Sequence, residues 1–498
     1  MVLFLSRFHI AILFLAFQAT SFADQPNIVL LMGDDHGWDE TGYNGHPYLK
    51  TPVLDAMARN GLRLDRFYSA HPSCSPTRGS VMTGRHPNRY GTFAPNYSIR
   101  PEEITIAQLL QESGYLCGHF GKWHLGPVKA SSPTSPGAMG FDKWLSHDNF
   151  FELNPTLSRN GGPPQKYQGE SSELIIAETI QFLKSAQQKK QPFFTVVWFG
   201  SPHEPYSGLD QDLALYDNLP EEYAQKEVRL TSNETGRPTK RPLRDVLRER
   251  YAEITAMDRS IGQLRDWLKK QKLRDNTILW YCGDNGTPGD GIVTSPFRGQ
   301  KGNMYEGGIR VPGLIEWPNR VSEPRVSDVN SVTSDMLPTL CTLTGTNLPA
   351  RPLDGIDLTP LIDGEMILRE NPIAFWSYDT KIEGKNKPYL EAEVQTGTTP
   401  LVKKMGDIKT RNFRNYLHPQ IVPDDYAGSR VLLGNRFKLI VKSQRGKQEQ
   451  LELFDVQNDP AETKNLVVEE LETASRMQRE LHDWQSSVLK SLTRADYK

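Results

Sequence analysis

The run H-P-S-C-S-P-T-R-G sets Cys74, Pro76 and Arg78 in C-x-P-x-R order, directly ahead of a helix-compatible stretch that ends at Thr83 and Gly84. Ser73 or Cys74 can cap that helix. Its first N–H groups, unpaired and at the positive end of the helix dipole, suit an anion. Arg78, one turn further on, adds a planar charged fork for an oxyanion. Taken alone, Cys74 reads first as a buried structural thiol and second as a thiol nucleophile.

A second set of groups stands at predicted strand ends. Asp34 and Asp35 close the apolar run Asn27–Met32, and Asp284 and Asn285 close Thr277–Cys282. Open α/β sheets bind ligands beyond the carboxyl ends of their strands. Short oxygen ligands gathered there suit a hard cation, calcium in a flexible shell or magnesium in a stricter octahedron. Singly, D-D-H-G and G-D-N-G also read as turns, which Asp, Asn and Gly favour for local reasons. Basic segments add anion-binding groups: G-K-W-H-L-G with Lys122 and His124, S-P-H-E-P with His203, and the glycine-rich F-R-G-Q-K-G with Lys301. Extended backbone would put Lys122 and His124 on one side of the chain. Each of these residues follows a predicted strand or lies in a glycine-rich loop, where positioned function concentrates.

The elements that must position these groups alternate along the chain. Apolar strands between amphipathic helices predict an α/β fold with a large mixed, mostly parallel sheet sandwiched by helices. Strands are predicted at Asn27–Met32, Leu62–Tyr68, Tyr115–Phe120, Phe193–Phe199 and Thr277–Cys282. Helices are predicted at Ile104–Ser113, Ser172–Lys184, Leu243–Lys270 and Thr51–Gly61, the last with Thr51 as N-cap, Pro52 at its first position and Gly61 as its stop. Leu209–Pro242 is polar and reads as a surface insertion. Beyond Leu353–Pro360, short strands at Ala374–Tyr378, Arg430–Leu433, Phe437–Val441 and Leu451–Val456 and a helix from Val467 predict a smaller C-terminal antiparallel sheet plus helix. Lys381–Asp425 lacks periodicity and reads as a long loop or insertion where substrate contacts could lie.

Residues 1–23 carry a single Arg7, the apolar stretch Ile10–Phe17 and small residues at Ser21 and Ala23, the pattern of a cleaved signal peptide. The expectation is an exported protein, periplasmic or extracellular. No later segment is apolar and long enough to serve as a membrane anchor. Loss of Arg7 takes the formal charge from −2 to −3, and this near-neutrality argues against nucleic-acid or membrane-surface partners. Cys74, Cys117, Cys282 and Cys341 make no dense disulfide framework, and none is expected as a staple. The expected organisation is a signal peptide over 1–23, a large domain over 24–370 and a small C-terminal subdomain over 371–498.

In chain order, N-I-V-L-L-M-G-D-D, T-P-V-L-D-A-M-A-R-N-G, C-S-P-T-R-G with M-T-G-R, G-K-W-H-L-G, the P-H-x-P loop, G-D-N-G and K-G-N-M-Y-E-G-G-I-R-V-P form a highly specific series. From Pro26 to the C-terminal region, where N-D-P-A-E-T-K-N-L also fits, the chain resembles the formylglycine-dependent (type I) sulfatases, arylsulfatase-like members of the alkaline phosphatase-like superfamily. The resemblance implies a sulfuric ester hydrolase acting on sulfate monoesters, with the large domain catalytic. It implies that Cys74 is oxidised to formylglycine by a formylglycine-generating or equivalent maturation enzyme. Asp34, Asp35, Asp284 and Asn285 would bind a divalent metal, usually calcium with magnesium as the alternative, together with the modified Cys74. Arg78 and Lys122 would hold and polarise the formylglycine diol and the sulfate. His124 would orient the diol and later take its proton, while His203 and Lys301 would hold the sulfate and assist the leaving oxygen.

Sulfate ester chemistry asks for the same division of labour, because charge on the oxygens must be neutralised and a proton given to a poor leaving group. A hydrated aldehyde offers one hydroxyl to attack sulfur and a second whose deprotonation expels sulfate. A serine or an unmodified cysteine would be left with a stable adduct.

The implied partner is a sulfated carbohydrate or another sulfate ester. Tyr43, Trp144, Phe150, Trp376 and Tyr378 have rings that could stack on sugar faces or pack in the core. The alternative enzyme is a phosphonate or phosphodiester hydrolase of the same superfamily, since both groups are tetrahedral. A non-catalytic sulfated-sugar-binding protein would have lost Cys74, a metal ligand or His203, and all are present.

Overall fold

The computed structural model describes residues 25–232, 235–380, 386–400, 412–443 and 448–497. The expected signal peptide lies outside these residues, as do 381–385 and 401–411 of the aperiodic stretch. The apolar run Asn27–Gly33 is the middle of a ten-stranded sheet. The order across the sheet is Arg325–Ser327, Leu62–Leu64, Gly313–Glu316, Thr277–Gly283, Asn27–Gly33, Phe193–Trp198, Leu116–Lys122, Lys143–His147, Thr156–Arg159 and Gln165–Lys166. Thr277–Gly283 through Lys143–His147 run parallel, while Gly313–Glu316 and Thr156–Arg159 pair antiparallel to the strands beside them.

The central strands read as continuous apolar runs because both of their faces are covered. Alternation sends Ile28, Leu30 and Met32 to one face, packed with Val81 and Met82 of the Cys74–Thr83 helix and with Leu337 and Leu340 of Met336–Thr344. Val29 and Leu31 go to the other face, against Leu54 of Pro52–Asn60, Ile176 of Ser171–Lys189 and Ile254 of Leu243–Lys270. This is the helix-sandwiched α/β sheet that the sequence predicts.

Local departures have identifiable causes. The predicted strand Leu62–Tyr68 is two pieces, because the chain leaves the large sheet after Leu64 and Phe67–Tyr68 pairs instead with Arg310–Val311 and Ser331–Val332. Thr51 precedes its helix as expected, but its hydroxyl accepts from the Gly42 N–H and donates to Asp55. The cap comes from Asp258 of the long helix, whose carboxylate takes the N–H groups of Val53 and Leu54 at 2.9 and 2.7 Å. The helix predicted from Ile104 begins at Ile106, where Thr105 and Gln108 form a capping box. The polar stretch Leu209–Pro242 carries its own hairpin, Glu227–Thr231 with Pro238–Pro242.

The C-terminal residues form an antiparallel sheet in the order Ile373–Trp376, Arg430–Leu433, Phe437–Lys442 and Gln450–Asp455, packed against the helix Leu471–Leu492. This sheet is tied to the short helix Glu306–Ile309 through a buried charge cluster. Lys438 Nζ donates to Glu306 at 3.0 Å and pairs with Glu462 at 2.9 Å, and Glu462 in turn accepts the Glu306 N–H at 2.7 Å. Trp376 and Tyr378 are core residues here, leaving Phe150 as the suggested ring nearest the chemistry. All four cysteines are buried free thiols. Among the described residues, no helix is long and apolar enough to cross a membrane.

Candidate active site

Parallel pairing in register brings the strand ends level. Gly33 pairs with Gly283 and Met32 with Trp198, so Asp34, Asp284 and the loop to His203 leave the sheet side by side. The loops then bond to one another: the Asp284 N–H donates to the Gly33 carbonyl at 3.1 Å and the Asp34 N–H to the Ser201 carbonyl at 2.9 Å. Cys74 opens its helix at 2% exposure, with Sγ 3.6 Å from Asn285 Oδ1 and 3.9 Å from Asp35 Oδ1. Ser73 sits at the N-cap position without a capping bond, its hydroxyl being paired with His71.

Each carboxylate is matched by a different cation. Arg78 Nη2 donates to Asp284 at 2.7 Å and lies 3.3 Å from Asp34. Lys122 Nζ donates to Asp34 at 2.6 Å, and Lys301 Nζ to Asp35 at 2.7 Å. Asn285 Nδ2 donates to Asp35 at 2.9 Å, and the Asp35 N–H donates to Asp284 at 2.9 Å. Lys301 is fixed through its backbone: its N–H bonds the Thr287 carbonyl at 3.0 Å, and the Gly302 N–H bonds the Pro72 carbonyl at 2.9 Å.

The charge balance fits a hard cation. Burial, reinforced by Asp34, pushes Asp284 up to about 6. Burial acts the same way on Asp35, but Lys301 and His203 outweigh it and hold that carboxyl well below the usual range. Asp34 Oδ1, 3.3 Å from Arg78 Nη2, is buried without a hydrogen bond among the described residues, and a ligand atom from each of Asp34, Asp35, Cys74 and His203 lies within 4.8 Å of the others. Buried carboxylate oxygens with one left unsatisfied suit calcium or magnesium, whose positive charge would relieve the repulsion at Asp284.

Both histidines are neutral. Burial, with Lys122 and Arg78 close by, keeps His124 well below its ordinary value. Its Nε2 faces Asn96 Oδ1 at 3.2 Å while Nδ1 is buried without a hydrogen-bond partner among the described residues. The backbone turns left-handed at His124 (φ 57°), so the extended geometry that would have aligned it with Lys122 does not hold. Burial lowers His203 to about 3, with Asp35 opposing and Lys301 adding to the shift. Its Nδ1 bonds the Glu204 carbonyl at 2.5 Å, which turns Nε2 towards Lys301 at 3.4 Å and Asp35 at 3.6 Å. Phe150 stacks on the ring at 4.7 Å. Side-chain exposure is 12% for His203 and 24% for Lys301 but zero for Lys122 and Arg78, so the cluster opens to solvent on the His203–Lys301 side.

All ten residues singled out in the sequence thus meet at one end of the sheet: Asp34, Asp35, Cys74, Arg78, Lys122, His124, His203, Asp284, Asn285 and Lys301. Such a group can bind an anionic tetrahedral group against a divalent cation and move protons at two neutral imidazoles. Sequence reasoning missed Asn96, Glu40 and Arg250. The signal for Arg250 was present, since a charged residue interrupts the apolar stripe Val246, Leu247, Ile254 and Ile261 of a long helix.

A family model described as Sulfatase matches residues 26–346. The N-acetylgalactosamine-6-sulfatase of Canis lupus familiaris is 31% identical over 394 residues, covering 71% of this chain and 69% of that protein. An ulvan-active sulfatase of Formosa agariphila is 32% identical over 346 residues, 68% of this chain and 65% of that one. Among solved structures, one in complex with k-i-k-neocarrahexaose aligns with a TM-score of 0.73 at 23% identity over 93% of each chain, a likeness of fold.

Proposed function

The chain belongs to the sulfatase family and is a sulfuric ester hydrolase, and from that premise we propose that it removes sulfate from a sulfated carbohydrate, using formylglycine at Cys74 and a divalent metal. The observation that carries this reading is the convergence of three carboxylates, Asn285, Cys74, two lysines and two neutral histidines at one end of the sheet. The relatives named for action on N-acetylgalactosamine-6-sulfate and ulvan support a sugar substrate. We take 24–370 as the catalytic domain and 371–498 as the small subdomain, and the protein as exported.

Asp34, Asp35, Asp284 and Asn285 would hold calcium or magnesium, whose charge would draw electron density from sulfate oxygens. Formylglycine from Cys74, made by a maturation enzyme, would supply a hydrated aldehyde as nucleophile. Lys122 and Lys301 bind the sulfate oxygens, and Arg78, anchored on Asp284, keeps positive charge behind them. His124 accepts a proton at its bare Nδ1. His203 presents Nε2 to the departing oxygen, its other nitrogen being fixed by the Glu204 carbonyl. An arriving sulfate adds negative charge beside His203, which raises its proton affinity when an acid is needed. The open side at His203 and Lys301 admits the ester, and Phe150 offers a ring face to the sugar beyond it.

The test is sulfate release from a panel of defined sulfated oligosaccharides, with matched phosphate and phosphonate esters as competitors. Preference for a sulfated sugar is expected. Faster turnover of the phosphorus esters would overturn the reading.

A further inference from the structure

We propose that Arg250 is a positioning residue, a clamp that fixes the loop carrying Asp35 against the loop carrying His203. Its side chain leaves the N-terminal third of the Leu243–Lys270 helix and is fully buried. All five of its N–H groups are spent. Nη2 donates to the Asp35 carbonyl and to Glu40 Oε2, and Nε to Glu40 Oε1, each at 2.6 Å. Nη1 donates to the Pro202 carbonyl at 2.6 Å and to the Tyr206 hydroxyl at 3.0 Å.

Two of these acceptors are main-chain carbonyls on different strand-end loops, one belonging to Asp35 itself and the other one residue before His203. Glu40 extends the clamp to a third loop. Besides neutralising the guanidinium, its Oε2 lies 3.3 Å from the Thr287 hydroxyl, which it shares with Asp39 Oδ1 at 3.1 Å, and Thr287 stands two residues beyond Asn285. The backbone closes tightly over the group, since a Cβ on Gly291 would lie 2.6 Å from Arg250 Nε. One planar fork therefore sets the spacing of loops that supply a carboxylate, an imidazole and an amide to the site. An ammonium cannot do this, because it is a point charge without the fixed fork.

A plain ion pair in the core would contribute stability alone, whereas a clamp contributes geometry. Displacing reacting groups by about 1 Å costs on the order of 100-fold in rate, and loss of a group supporting a metal ligand costs about 10- to 100-fold in metal affinity or activity. The experiment uses the full, matured protein with Arg250→Lys, which keeps the charge beside Glu40 but loses the fork, and with Arg250→Gln. Three quantities are measured: kcat and KM on an activated aryl sulfate, calcium affinity by titration after chelator treatment, and the melting temperature.

For Arg250→Lys, kcat should fall about 100-fold with KM within about threefold of wild type, and calcium affinity should fall about 10-fold. Wild-type kcat and calcium affinity in a folded variant would overturn the clamp, whatever happens to the melting temperature. Unfolding of both variants would also count against it, since it would assign Arg250 to the stability of the core. The kinetic readout rests on the sulfatase reading, but the calcium titration needs no substrate. A wild-type protein that binds calcium and hydrolyses no sulfate ester would sink that reading and leave the clamp open to judgement by affinity.

Discussion

Replacing His203 with alanine should slow hydrolysis of an alkyl or sugar sulfate far more than that of an activated aryl sulfate. Free His203 holds a proton only near pH 3, because burial and Lys301 outweigh the attraction of Asp35. A sulfate ester bound by Lys301, whose Nζ lies 3.4 Å from His203 Nε2, would bring a negative charge to about 4 Å from the ring. At an effective dielectric near 20 that charge contributes about 4 kcal/mol, or about three powers of ten in protonation. The ring therefore takes up a proton more readily in the complex than in the free protein. As the proposed acid, the ring must be protonated, so kcat on a sugar sulfate should decline as pH rises through the titration of the bound ring.

Removing that acid should cost about 100- to 10,000-fold on the sugar sulfate and little on the aryl sulfate, whose phenolate leaves unaided. Lys122→Ala and Lys301→Ala should impair both substrates, since the sulfate oxygens are common to them. The assay compares kcat and kcat/KM for both substrate types across pH in wild type and the three variants. Equal losses on both substrates for His203→Ala, or a decline of kcat with rising pH that survives the substitution, would show that His203 is not the general acid.

The remaining expectations concern Cys74, the metal and the buried cluster around Lys438. Peptide mass analysis of active protein should find formylglycine at Cys74, and Cys74→Ala should abolish turnover while leaving the circular dichroism spectrum intact; fully active protein carrying only the thiol would refute the mechanism. Chelation should remove activity, with calcium or magnesium restoring it and Asp35→Ala abolishing it. Since free Asp284 holds its proton up to about pH 6 and a cation binds the ionised form, calcium affinity should weaken as pH falls through 6, and a flat affinity between about pH 7 and 5 would contradict this. Lys438→Met would strand Glu462 as a buried charge, while Glu306 keeps Arg310 at 3.5 Å, and should cost about 3–5 kcal/mol in chemical denaturation, whereas a change below about 1 kcal/mol would show that the cluster relaxes or protonates.

Elements buried on both faces were the most legible. Asn27–Gly33, Phe193–Trp198 and Thr277–Gly283 fall within a residue of their predicted bounds because a central parallel strand is simply an uninterrupted apolar run. Leu243–Lys270 has the predicted bounds at both ends, with Pro242 standing just before its first turn. Cys74 and Arg78 could be found from their C-x-P-x-R order ahead of a helix, and the other site residues because each follows such a strand or lies in a glycine-rich loop. What stayed hidden depends on distant partners. The break after Leu64 answers to strands at Arg310–Val311 and Ser331–Val332, and the cap on Pro52–Asn60 comes from Asp258. The turn at His124 accompanies the bond of its N–H to the Asp148 carbonyl. Arg250 could be suspected from its stripe, but its acceptors lie in loops that no local pattern brings together.

The level strand ends also bear on when this site comes into being. Asp35 and Asp284 are 249 residues apart in the chain, yet they meet through one hydrogen bond across neighbouring parallel strands. Contacts of such long sequence separation form late, after the cost of closing the intervening loop has been met. A chain that has paired only Asn27–Gly33 with Phe193–Trp198 has half of the proposed oxygen ligands and no place to fix Lys301. During refolding, acquisition of the cation site should therefore lag behind recovery of helix signal and coincide with docking of Thr277–Gly283, making cation uptake a reporter of the finished sheet.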